Sequence, residues 1–398
     1  MKFITIEDVA TVVRGSSPRP QGDIRYYGGN IPRLMVSDVT RDGMYVTPKI
    51  DFLTEEGATK SRPMKKGDFI IAVSGDPGEP CILSVDACIH DGFVGFRNLD
   101  ISKVFTPYLY RFFKYNKLKS KAQAVGAIYK NLNTDQIKGI QIPLPPLSQQ
   151  QKIASILDAA DKLRQNDKAL VAKYDELTQA LFLDMFGDPV SNPKSWEIKT
   201  IEQIVKSEKG SIKRGPFGGA LKKEIFVEDG YLVYEQFHAL NNDFSRSRYF
   251  IDQNKFYELK GFEVKPGDII ISCSGVYLGK LAVIPQNARK GIINQALLKL
   301  TLDESKMTND FFVFLFSHKN FREKYFDANR GAGIPNFPPM NEFKKFPFIS
   351  PPMKLQNQFT EQVAIIVEQK KIAQKSLEKS EELFNSLLQK AFKGELCQ

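Results

Sequence analysis

Residues 145–189 read PPLSQQQKIASILDAADKLRQNDKALVAKYDELTQALFLDMFGDP, and this stretch decides the fold. From Leu147 to Phe186 it holds neither proline nor glycine; Pro145-Pro146 precede it and Gly187-Asp188-Pro189 stop it. Ile153, Ile156, Ala160, Leu163, Leu170, Tyr174, Leu177 and Leu181 recur at helical spacing, which predicts one amphipathic helix with these side chains on its stripe. Ser148 can cap the start, and Gly187 with Pro189 cannot continue the helix. At 1.5 Å per residue a helix of this length measures about 60 Å, too long to sit inside one core.

A second such stretch follows Pro351-Pro352. From Met353 to Phe392 its stripe holds Phe359, Val363, Ile366, Ala373, Leu377, Phe384 and Leu387. Pro145-Pro146 aligns with Pro351-Pro352, Ile153 with Phe359, Leu177 with Leu383 and Phe186 with Phe392, without a gap, so the chain carries an internal duplication. The segments ahead of the helices repeat as well. Ile6-Glu7 matches Ile201-Glu202, Arg14-Gly15 matches Arg214-Gly215, and Lys66-Gly67-Asp68-Phe69-Ile70-Ile71 matches Pro266-Gly267-Asp268-Ile269-Ile270-Ile271. Ser74-Gly75 matches Ser274-Gly275, and Pro107-Tyr108-Leu109 matches Asp310-Phe311-Phe312.

Within each repeat, short apolar runs broken by Gly, Pro, Asp and Asn read as strands: Phe69–Val73, Cys81–Val85 and Phe93–Phe96 in the first. Pro107–Tyr115 reads as a helix with an aromatic face. The expected division is a globule over 1–146, a helix over 147–186, a linker over 187–195, a globule over 196–352 and a helix over 353–398. The fold class is α+β: two β-rich globules joined by two long helices that bury their stripes on one another as an antiparallel coiled coil, with a pseudo-two-fold axis.

Composition narrows the function. The chain has 398 residues, 42% of them apolar and 26% charged, and no apolar run long enough for a membrane span. Met1-Lys2-Phe3-Ile4 is soon followed by the acidic pair Glu7-Asp8, with no leader pattern, and four scattered cysteines form no CxxC pair; a reducing cytoplasm is the expected location. The net charge of +10 favours an anionic partner.

Enzyme motifs are absent or spoiled. Gly275 to Leu281 has one residue too few for a phosphate loop and ends in Leu, leaving no hydroxyl for Mg²⁺; a turn between strands is the better reading. In Asn336-Phe337-Pro338-Pro339-Met340, Phe337 spoils the spacing of an aminomethyltransferase loop, and His90, His238 and His318 are scattered. The chain reads as non-catalytic, with no metal and no cofactor of its own.

What recurs instead is loop chemistry suited to phosphates and base edges. A Gly-rich basic loop opens each globule, offering Arg14, Ser16, Ser17 and Arg19 in the first and Lys213, Arg214, Phe217 and Lys222 in the second. Glycine lets a backbone approach closely, and arginine binds phosphate or guanine through two parallel hydrogen bonds. A later loop offers Lys130, Asn131 and Asn133, then Arg330 and Asn336. Arg33, Arg97, Tyr234 and Gln236 complete the DNA-binding candidates. The bland reading makes these loops solvated turns, and the competing function is a coiled-coil adaptor whose globules bind protein or RNA.

The pattern resembles the specificity subunit of type I restriction-modification enzymes. The resemblance rests on Pro143-Leu144-Pro145-Pro146-Leu147-Ser148-Gln149-Gln150, the duplicated Gly-Asp-Ile/Phe-Ile-Ile strand with its Ser-Gly, the Gly279-Lys280 turn and Trp196. It departs where Gln149-Gln150 and Leu355-Gln356 stand for the usual Glu-Gln. The resemblance implies two target recognition domains, each reading half of a split double-stranded DNA sequence, with the helices setting the unread spacer. It also implies docking of two modification subunits that bind S-adenosylmethionine, and restriction/translocase subunits that use ATP and Mg²⁺.

Overall fold

Both long helices form, over Leu147–Phe186 and Met353–Lys393. The computed structural model describes residues 2–122, 134–217, 219–275, 277–327 and 337–396. They fall into two compact units: Met1–Leu170 with Ala373–Gln398, and Val171–Ile372. Each unit therefore holds part of both long helices.

In the first unit a five-stranded sheet runs in the order Thr11–Arg14, Phe93–Arg97, Phe69–Ala72, Pro80–Leu83, Tyr45–Val46. A four-stranded sheet runs Asp51–Leu53, Tyr27–Leu34, Ala87–Ile89, Arg62–Met64, and a ribbon pairs Phe3–Thr5 with Gln141–Pro143. The second unit repeats the plan. Its central sheet runs Ile212–Arg214, Leu297–Leu300, Ile269–Ser272, Leu281–Val283, and its ribbon pairs Ile198–Thr200 with Pro347–Ile349. Tyr231–Tyr234 lies parallel to Gly291–Ile293, as Tyr27–Leu34 lies parallel to Ala87–Ile89. Phe69–Ala72 is buried throughout, and so is Ile269–Ser272. A strand covered on both faces needs this continuous apolar composition.

The aromatic helices, Thr106–Ala122 and Asn309–Ser317, carry the central sheets onto the long helices. One buried glutamine ties each junction. Gln150 donates from Nε2 to the carbonyls of Lys103 and Pro145 and accepts from the Phe105 amide. Gln356 does the same with Lys306, Pro351 and Thr308. Both side chains are fully buried, and each supplies donors and an acceptor to main-chain groups that would otherwise lie unpaired. This clamp, rather than a Ser148 cap, organises the start of the first helix: Gln149 and Gln150 amides bond to Pro146 O, so Ser148 already lies in the first turn. The 187–195 segment is a bonded corner, in which Asn192 bonds both the amide and the carbonyl of Trp196 and Trp196 Nε1 donates to Phe186 O.

In the first unit the long-helix segments run antiparallel. Ile153 and Leu157 share a core with Leu388 and Ala391, Arg164 lies over the Phe384 ring, and Asp167 accepts from Ser376. In the second unit Asp175 pairs with Lys370, while Phe182 and Phe186 pack on Phe359. The stripe expected on the C-terminal helix is the buried or half-buried one, but that on the central helix needs correction. Leu163, Leu170 and Leu177 are 46%, 42% and 49% exposed, and the seam instead takes Leu157, Arg164, Asp167, Val171 and Thr178, buried or half-buried. Ile153, Ile156, Ala160, Tyr174 and Leu181 are buried or half-buried as expected, and only the three leucines yield their places, because the seam between them includes polar side chains that find partners across it.

The segment mistaken most easily for a phosphate loop is a connection between antiparallel neighbours, Ile269–Ser272 and Leu281–Val283. Gly275 and Gly279 take φ of 78° and 72°, and Gly279 N bonds to Ser272 O.

Candidate nucleic-acid interface

Each basic loop is placed by a glycine that touches another backbone. Gly15 N bonds Phe93 O at 3.0 Å, and a Cβ there would lie 2.0 Å from His90 O. Gly215 N bonds Leu297 O at 2.9 Å, and a Cβ there would lie 1.8 Å from Asn294 O. No larger residue fits either place without moving a main chain. The turn 90–92 in the first unit and the turn 294–296 in the second thus lie under equivalent loops.

The first loop is tied down on every side. Arg14 Nε donates to Asp91 O, Ser17 Oγ donates to the Asp91 carboxylate at 2.6 Å, and Ser16 Oγ donates to Lys60 O. Arg62 donates to Arg14 O, Ser61 Oγ to Ser16 O, and the Tyr27 hydroxyl to Pro18 O. The Ser17 hydrogen bond holds the Asp91 carboxyl below its usual range. His90 accepts the Gly92 amide on Nδ1, and burial, with the Arg33 charge, pushes its pKa down, so the ring stays neutral at pH 7. Arg14 and Arg19 are exposed.

The second loop is open. Arg214 stacks over the Phe217 ring at 5.5 Å, Phe217 is 69% exposed, and Arg214 Nε is buried with no hydrogen-bond partner among the described residues. Lys222 is exposed, and a cavity of about 140 Å³ lies between Phe217, Leu221 and Gln295. Gln236 sits at the same edge, donating from Nε2 to Ser272 Oγ at 2.6 Å and to Ser274 O. That edge is continuous with the loop, since Cys273 N bonds Ala296 O within the turn under Gly215. A stacked, unpaired guanidinium beside an amide is equipped to meet phosphates and base edges.

The remaining sequence candidates divide. Arg33 is 5% exposed and locked to Asp51, and Tyr234 is 1% exposed with its hydroxyl on Arg289 O; both brace the strands behind the edge. Arg97 donates to Pro63 O and pairs with Thr11 at the end of its strand away from the loop. Lys213 turns to the opposite strand face from Arg214, over the Phe262 ring. Lys130, Asn131, Asn133, Arg330 and Asn336 lie outside the described residues. Asp91, Arg62 and the turn Asn294-Gln295-Ala296 join the site without any mark in the sequence. Their contacts with the loops span about 50 to 80 positions, and no local pattern marks them.

Comparison with known proteins follows the same lines. Residues 1–173 match the family described as Type I restriction modification DNA specificity domain. The chain is 26% identical to a Type I restriction enzyme specificity subunit of Methanocaldococcus jannaschii, covering 98% of this chain and 92% of that one. It is 24% identical to the EcoKI specificity subunit of Escherichia coli, over 44% of this chain and 39% of the relative. A chain from a solved type I R-M system aligns over 99% of this chain and 98% of its own length with a TM-score of 0.64 at 14% identity. The S subunit from M. genitalium aligns over 98% and 96% with a TM-score of 0.51 at 15% identity.

Proposed function

We propose that the chain is a specificity subunit of a type I restriction-modification system and that each of its units reads one half of a bipartite duplex-DNA target. The observation that carries this reading is the repetition of one loop edge in both units, each seated by a glycine on the backbone of a matching turn. The readers are Arg14, Ser16, Ser17 and Arg19 in the first unit and Arg214, Phe217, Lys222 and Gln236 in the second, with Arg33 and Tyr234 as supports. Lys130, Asn131, Asn133, Arg330 and Asn336 remain candidates of the later loops.

The two long helices set the unread spacer and present the surface on which two modification subunits dock; restriction/translocase subunits complete the assembly. S-adenosylmethionine, Mg²⁺ and ATP belong to those partners, and this chain contributes recognition alone. No helix among the described residues is long and apolar enough to cross a membrane.

Selection from a random duplex library with the assembled complex tests this against the adaptor reading. Two short blocks at a fixed separation are expected, whereas an adaptor for protein or RNA enriches nothing. Inserting one heptad into each long helix lengthens it by about 10 Å, which is expected to widen the spacer by about three base pairs and leave both blocks unchanged.

A further inference from the structure

Gln236 opens the short helix Gln236–Asn241, directly after the strand Tyr231–Tyr234. Val36 occupies the same place in the first unit, opening Val36–Asp42 after Tyr27–Leu34. Both meet the Ser-Gly turn beyond the central strand. A Cβ on Gly75 would lie 3.4 Å from Val36 Cγ2, and Gln236 bonds Ser272 and Ser274.

The orientation of the Gln236 amide is fixed by chemistry. The Ser274 carbonyl can only accept, so the amide must turn its NH₂ toward it, and the second N–H goes to Ser272 Oγ. Both donors are consumed. Oε1 accepts no hydrogen bond among the described residues and is not enclosed. A free glutamine meets adenine with a donor and an acceptor together. This one has only the acceptor left to offer.

We infer that Gln236 is a specificity-determining residue whose fixed Oε1 selects an exocyclic amine, adenine N6 or cytosine N4, at one position of one half-site. Guanine O6 and N7 and thymine O4 present acceptors in the major groove and oppose it. Val36, lacking any polar atom at the equivalent place, makes no such selection in the first unit. The inference rests on the proposed reading that this loop edge faces base edges.

The test is methylome sequencing of cells carrying the full chain with its modification partner, as wild type and as Gln236→Met, which keeps the length and removes the acceptor. The wild type is expected to show A or C at one fixed position that becomes degenerate in the variant, with the other half-site and the spacer unchanged. Which base occupies the wild-type position decides between the two amines. In binding assays, discrimination at that position is expected to fall about tenfold. A split motif that Gln236→Met leaves unaltered overturns the inference, whereas a wild type without any split motif overturns the recognition reading beneath it. Should the variant abolish methylation, the wild-type complex is tested on duplexes with the amine deleted one base at a time, such as purine for adenine. A tenfold loss at one position supports the inference, and no loss at any position overturns it.

Discussion

The two units seat their aromatic helices with opposite chemistries at one equivalent place. The glutamine clamps fix the correspondence, since Phe105 and Thr308 each donate an amide to it, and this places Arg111 opposite Phe314. Arg111 is 5% exposed and bonds Asp158 and Asp161 on the central helix, with the Phe384 ring beside it. Phe314 packs edge-on against Phe359, within a cluster that holds Phe182, Phe186 and Phe311. A duplicated fold thus keeps what serves the backbone and lets the side-chain filling diverge. The basic loops diverge in the same manner: in the first, Arg14 Nε and Ser17 Oγ donate to Asp91, whereas in the second Arg214 has no side-chain hydrogen-bond partner among the described residues.

If the clamps are equivalent, breaking either has the same large effect. Gln150→Leu and Gln356→Leu each leave two carbonyls and an amide unpaired in a buried junction. We expect a loss of about 3 kcal/mol from each in urea unfolding. A loss confined to one variant would show that the repeat has kept the geometry without keeping the energetics.

The seats are expected to differ in kind. Burial pushes the Asp161 carboxyl up, but hydrogen bonds and charge from Arg111, with Arg164, outweigh it and hold the pKa below the usual carboxylate range. A carboxyl depressed in the folded state contributes stability that is present above its unfolded pKa and is lost as pH falls through the folded value. Arg111→Met is expected to cost about 2 kcal/mol at pH 7, because it strands a half-buried Asp161, and less below about pH 4. Phe314→Ala is expected to cost a similar amount with no such pH dependence. Melting curves of both variants at pH 7 and pH 3 check this, and a parallel pH response would erase the distinction.

The smallest stability effect is expected where the loops differ. Arg214→Ala removes a side chain with no hydrogen bond to lose among the described residues, so stability should change by less than about 0.5 kcal/mol. DNA affinity should nonetheless fall, and the salt slope of binding should drop by about one if Arg214 meets a phosphate. Arg14→Ala should lower both stability and affinity, because Arg14 holds the Asp91 turn.

Much of this architecture was legible in the sequence because it is written in local or repeated patterns. Helices over Leu147–Phe186 and Met353–Lys393 follow from proline boundaries and uninterrupted helix formers, and the strands follow from Phe69-Ile70-Ile71 and its repeat. The polar members of the central helix's seam were not legible, since Arg164 and Asp167 occupy it by pairing with side chains remote in sequence. The same limit applies to the candidate interface. The basic loops and their glycines stand out, but whether an arginine is free, like Arg214, or consumed, like Arg33 by Asp51, depends on a partner that only the fold brings near.

Methylome sequencing of isogenic cells, with and without this chain but always with the modification subunit proposed for it, separates DNA recognition from the adaptor reading. A two-block methylated motif, its blocks separated by a constant unread spacer, is expected only when the chain is present. An identical methylation pattern in both strains would contradict DNA recognition.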